Sequence, residues 1–257
     1  MSRRAWSRAG ALVDGLATSP KRHAYSLSWR FAMHLTGCAL IAVAVAAMLW
    51  NDFGPGPLDV MIGAIRDLSG LPLTYAVWAT TGSLLLVAWA LGRRPGFGNL
   101  VTIVTVGPLM QLALARLAQL DAPDPIAAKV AVHVVATALI GLGAGMNVFA
   151  NLGAGTSELL TSATAQKVRR REPHVRMAFE LTWLGLGALL GGPLGFGTVI
   201  VAVLIGPFVA RGYRTVDTAY TSAREATLHK IEWARGPATG QIPVITGQLP
   251  VTVSAGD

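Results

Sequence analysis

Three carboxylic acids stand where an acid is costly. Asp59 and Glu158 follow paired glycines in Gly54-Pro-Gly-Pro-Leu-Asp59 and Gly153-Ala-Gly-Thr-Ser-Glu158. Each motif places flexible backbone, with Gly56 or Gly155 at its centre, and then an acid at the start of a short helix. Helix starts expose free N–H groups, so these two ends and their acids can form the floor of a polar cavity that binds an ion or small molecule. The same positions also suit a plainer role, acids complementing a helix dipole with Pro57 at a helix start. Glu180 lies inside an apolar run, Met-Ala-Phe-Glu-Leu-Thr-Trp. Ionisable groups at such depth mark substrate or proton pathways, and Glu180 is the natural proton carrier. Its plainer role is a salt bridge to Arg176, four residues earlier on the same helix face.

Backbone irregularity marks further positions. Pro108 and Pro207 cannot donate to the carbonyls of Val104 and Val203, which leaves acceptors free within an apolar helix. Matched Gly/Pro interruptions in two halves of a membrane protein point to a transport site, although a packing kink has the same signature. Gly96-Phe-Gly-Asn99 and Gly195-Phe-Gly-Thr198 end in good helix N-caps and predict a turn that opens a helix. The glycines at 141, 145, 187 and 191 have the small-residue spacing that lets helices approach closely. His34 and His133 are weak metal or proton candidates near the outer parts of their helices. Cys38 is alone, so no internal disulfide or cysteine metal cluster can form. There is no His-Glu-x-x-His, no phosphate-binding Gly-rich loop and no nucleophile elbow. The expectation is therefore a protein that is not an enzyme and uses no cofactor or metal.

The elements that must position these residues are membrane helices. With 53% hydrophobic and 13% charged residues, the chain has about half the charge of an ordinary soluble domain, roughly 25%. That is too little to cover a water-exposed surface. The net charge of +8 gathers between apolar runs, at Arg93-Arg94 and from Lys167 to Arg171, as in the loops of membrane proteins. It forms no nucleic-acid-binding face. A crossing helix needs about 20 mainly apolar residues. Six stretches approach that, at 31–51, 74–92, 99–118, 127–150, 174–191 and 194–210. Two shorter polar helices, Pro57–Ser69 and Thr156–Val168, lie between the first and second and between the fourth and fifth.

The two halves repeat without a gap at a spacing of 99 residues. His34 meets His133, Gly54 and Gly56 meet Gly153 and Gly155, and Asp59 meets Glu158. Gly96-Phe97-Gly98 meets Gly195-Phe196-Gly197, Gly107-Pro108 meets Gly206-Pro207, and Thr81 meets Glu180. Gly and Pro mark special backbone, so the coincidence argues for a shared path. The short helices are too brief and polar to span. Each half then crosses three times, an odd number, and the second half enters inverted. The expected fold is all-α and integral to the membrane: six transmembrane helices as two inverted three-helix repeats, each with a short re-entrant or interfacial helix. A basic segment at 1–30 precedes repeat one (31–119) and repeat two (127–214). An amphipathic cytoplasmic helix and loose tail follow at 215–257. With both termini cytoplasmic, only Arg66, Arg116 and Lys129 of the 21 Lys and Arg fall outside. An eight-span alternative strands only Arg93 and Arg94, so segment length and polarity decide against it.

The order of these motifs, an acid-bearing Gly-x-Gly segment, Arg-Arg-Pro-Gly-Phe-Gly-Asn with Gly-Pro after it, then Glu180 ahead of Leu-Gly-Gly-Pro-Leu-Gly-Phe-Gly-Thr and Ile-Gly-Pro, resembles the YczE/YyaS/YitT family of bacterial membrane proteins. The resemblance covers about residues 31 to 214. It implies a multi-pass protein of the bacterial inner membrane, of a kind often described as transporters. The functional expectation is a small secondary transporter or channel for an unknown small molecule or ion. Its site is built from Asp59, Glu158, Glu180, Gly56, Gly155, Pro108 and Pro207. The competing expectation is a non-transporting protein that binds or regulates a partner through its basic loops and tail. Membrane lipid is the expected surrounding, and so thin a bundle leaves a homodimer open.

Overall fold

The computed structural model describes residues 26–153 and 155–235. They form eight α-helices and no strand. The first, α1, runs over Leu27–Trp50, opened by Ser26, whose hydroxyl accepts the Trp29 N–H at 3.3 Å. The short α2 (Pro57–Ser69) begins after Gly56 with proline at its first turn and stops at Gly70, where φ turns to +66°. Then come α3 (Leu73–Ala90), α4 (Phe97–Leu117) and α5 (Ile126–Ala150). The second short helix, α6 (Thr156–Val168), starts after Gly155 and ends at Arg169 in the left-handed region. Finally α7 spans Glu172–Leu189 and α8 spans Phe196–Arg235. Both short helices have 13 residues, about 20 Å of rise, with the boundaries their sequences predict.

Five helices are long and apolar enough to cross a membrane: α1, α3, α4, α5 and the Phe196–Ala219 part of α8. The sixth expected crossing forms its helix, α7, but does not meet the same standard. Arg176 and Glu180 interrupt its 18 residues and lower its apolar character. Large apolar side chains point outward from several helices, among them Leu86, Val104, Val135, Leu181 and Val199. That outward band suits lipid rather than water.

Two boundaries differ from the sequence expectation. Asn99 is not the N-cap of α4. Gly96 is, and Asn99 sits three residues in, its Oδ1 accepting the Gly96 N–H at 2.8 Å. This is the reach-back half of a capping box, so the helix begins at Phe97. Likewise α8 is unbroken through 211–215, where a separate amphipathic helix was expected to start. Neither proline nor a left-handed residue interrupts it there. By internal contacts, residues through Asp217 form one compact unit and those from Thr218 another. The basic segment before Ser26 and the tail after Arg235 lie outside the described residues.

Within the first unit, α1 packs on α5 and α4, α2 on α7, α6 on α3, and α3 on α4. One apolar core joins Ala42, Val45 and Ala46 to Ile62, Leu73, Val77 and Met110, and another joins Leu84 and Ala88 to Leu160 and Ala163. The predicted small-residue contact lies inside the chain. A Cβ on Gly141 would meet the Phe208 carbonyl, and one on Gly145 would meet Gly212. Gly187 presses on Val60 and Met61 of α2, whereas Gly191 faces open space.

The turns between helices bond reciprocally. Gly98 N–H donates to Leu152 O at 2.7 Å, and Gly197 N–H donates to Phe53 O at 2.6 Å. Each partner of the first bond, moved by the 99-residue spacing, becomes a partner of the second. His34 and His133 are fully buried at these junctions rather than peripheral. His34 Nε2 bonds Gly98 O and His133 Nε2 bonds Gly54 O, both at 3.0 Å.

Candidate functional site

A cavity of about 230 Å³ opens among α1, α3, α4, α5 and α8 and is lined also by the starts of both short helices. Gly56 and Gly155 form those starts. With no side chain at either position, the carboxyls of Asp59 and Glu158 fold back over the N-caps. A Cβ on Gly155 would overlap the Glu158 carboxylate, and one on Gly56 would come 3.3 Å from Asp59 Oδ2. Both acids therefore lie beside the unpaired N–H groups of a helix start, and both line the same cavity. A capping role and a cavity-floor role coexist here.

Glu180 reaches this cavity from α7, and Thr81, its counterpart in the repeat, reaches it from α3. Arg176 binds both glutamates. Its Nη1 lies 3.3 Å from Glu158 Oε1 and its Nε lies 3.6 Å from Glu180 Oε1. The local salt bridge expected for Glu180 is thus present, but it is part of a three-membered cluster that faces the cavity. Asp59 has no hydrogen bond or ion pair among the described residues, and Glu180 is near enough to repel it. Three carboxyls face one guanidinium, an arrangement that is uncompensated unless a proton or a cation joins it.

Of the seven expected site residues, Asp59, Glu158, Glu180, Gly56 and Gly155 are brought together. Pro108 and Pro207 are not among the lining residues, and Pro108 is exposed on the outer surface. The side chains of Arg176, Asn147 and Tyr213, with the hydroxyls of Thr102, Thr156 and Ser157, complete the polar lining. Asn147 and Tyr213 are buried, and neither carried a signal in the sequence beyond a polar type in an apolar run. The remaining walls are apolar, including Ile41, Val77, Leu84, Met110 and Ile140. No three His, Cys, Asp or Glu side chains among the described residues converge closely enough to hold a metal ion.

Known proteins match the chain across its membrane region. It is 29% identical over 184 residues to the "Uncharacterized membrane protein YczE" of Bacillus subtilis (strain 168), covering 70% of this chain and 82% of that protein. An "Uncharacterized protein" of Haemophilus influenzae is 24% identical over 175 residues, covering 68% and 79% respectively. No solved structure matches. The membrane-protein relative and the apolar helices together point to a membrane location. A family profile covers residues 28–213, which include every residue that lines the cavity. The chain belongs to the family of unknown function DUF6198.

Proposed function

We propose that this protein is a small secondary transporter or channel of the bacterial inner membrane, built as two inverted repeats with both termini in the cytoplasm. The observation that carries this reading is the cavity. It is lined from five apolar helices and gathers Asp59, Glu158, Arg176 and Glu180. Charged side chains at such a depth are expensive and serve conduction far more often than packing. Short helices whose N-termini point at a mid-membrane site are a recurring transporter device. A twofold relation between the halves is supported by the reciprocal Gly98–Leu152 and Gly197–Phe53 bonds, and three crossings per half make it an inversion. The matched pairing of α2 with α7 and α6 with α3 supports it further. On this reading α7 is the sixth crossing, tolerated because its charges face the cavity cluster rather than lipid. Glu180 is the proton-carrying group.

The test is flux. Proteoliposomes holding the purified protein under an imposed proton gradient would be offered small organic ions and neutral solutes. Uptake above protein-free vesicles, lost in Glu180→Gln, is the expected result. If no solute moves faster than in empty vesicles, the reading fails. If gradient-driven flux survives in Glu180→Gln, that carboxyl leaves the mechanism.

A second reading has one observation of its own. An open groove of about 710 Å³ lies between the end of α6 and α7, lined by Arg169, Arg170 and Arg171 with Val175 and Phe179. Such a groove suits a non-transporting protein that binds a partner. Deleting 215–257 separates the two, because lost activity in a folded protein counts against transport alone.

A further inference from the structure

We propose that the cavity takes a small protonated amine with an apolar body, and that the amine exchanges for a proton held by the same carboxyls. This rests on the transport reading above and names its substrate class.

Charge comes first. The titratable groups lining the cavity are Asp59 from α2, Glu158 from α6, Arg176 and Glu180 from α7 and Tyr213 from α8. Arg176 is the one cationic side chain among them, and it is engaged with both glutamates. An anionic ligand would meet three carboxyls and no free cation, so it is disfavoured. A cation or a proton relieves the excess of acid, and the two compete for one place. Electroneutral exchange follows from that competition. As an ammonium enters, one carboxyl O–H breaks, its proton leaves to water, and the carboxylate left behind pairs with the ammonium. The net charge of the site is unchanged.

The walls define the rest of the ligand. Ile62, Val77, Leu84 and Met110 surround the charged end with hydrocarbon. A hard metal cation needs six or more oxygen ligands, and the acids do not converge to supply them. A volume near 230 Å³ is below the roughly 300–1,000 Å³ of sites for drug-sized ligands, which limits the amine to small molecules.

The experiment is calorimetric titration of the purified full-length protein with benzylammonium, benzoate and benzyl alcohol at pH 6 and pH 8, with proton release read in weak buffer. Benzylammonium is expected to bind and to release close to one proton. Its affinity should rise with pH by up to about tenfold per unit for the proton displaced. Asp59→Asn and Glu180→Gln should each weaken binding about thirtyfold or more. Should those variants fail to fold, Thr81→Leu, which narrows the cavity from α3, serves in their place, with weaker benzylammonium binding expected. Equal or tighter binding of benzoate or benzyl alcohol overturns the proposal. So does benzylammonium binding without proton release, or no benzylammonium binding at all. In that last case, flux of another solute in proteoliposomes leaves transport standing. Conversely, benzylammonium binding without any flux leaves the site standing and removes transport.

Discussion

Arg176 Nη1 lies 3.3 Å from Glu158 Oε1, a pair that ties α7 to the start of α6 across the cavity wall. The same guanidinium holds Glu180 at 3.6 Å. Removing it leaves two neighbouring acids without a counter-charge. Breaking one side of a fully buried pair costs about 3–5 kcal/mol. These side chains keep 27 to 30% of their surface, so the expected cost of Arg176→Gln is smaller, about 1–3 kcal/mol. Thermal unfolding in detergent checks this. The double variant Arg176→Gln with Glu158→Gln should recover part of the loss, and an additive loss would contradict the coupling.

His133 is expected to be structural. Its Nε2 donates to Gly54 O at 3.0 Å, just before α2, and its Nδ1 accepts from Asn51 Nδ2 at 2.8 Å. His133→Ala strands a buried carbonyl at a cost of about 1–3 kcal/mol. The variant should unfold at lower temperature, yet the folded fraction should bind benzylammonium as the native protein does. Lost binding in a protein of unchanged stability would instead give this histidine a direct role.

Gly212 and Gly82 provide a contrast between a crowded glycine and a free one. A Cβ on Gly212 would overlap the Gly141 carbonyl, whereas Gly82 in α3 has open space. Gly212→Ala should destabilise by about 1–3 kcal/mol through overpacking. Gly82→Ala should be neutral or stabilising by up to about 1 kcal/mol, since alanine is the better helix former. Melting temperatures in the same detergent decide between them.

Pro108 and Pro207 lie away from the cavity lining. Replacing either with alanine restores an N–H to its helix. Binding of benzylammonium should stay within about twofold of native, as for substitutions outside a site. A large loss for Pro108→Ala would return that kink to the mechanism.

Much of this arrangement was legible in the residues. The short helices are marked by Gly56-Pro57 and Gly155 at their starts and by polarity that cannot face lipid. Asp59 and Glu158 are marked by their matched positions. The inward or outward facing of a residue on an all-apolar helix was not legible. Pro108 faces out while Met110, two residues on, faces in. Nor was the second partner of Arg176, because Glu158 lies 18 residues before it and only folding brings the two together. Local rules for pairs four apart see Glu180 alone. Asparagine is a good cap, so the sequence places the start of α4 at Asn99, yet the cap is Gly96 and Asn99 reaches back from the first turn to accept the Gly96 N–H.

The central claim is that water and solute reach the carboxyl cluster in mid-membrane. Its most direct test places single cysteines at 59, 158 and 180 in a Cys38→Ser background. Each is then exposed, in sealed vesicles of known orientation, to a membrane-impermeant methanethiosulfonate reagent from either side. Modification of all three from at least one side, slowed by benzylammonium, is the predicted result. Three cysteines that stay unmodified from both sides, in protein shown to be folded, would mean a dry centre and would contradict the claim.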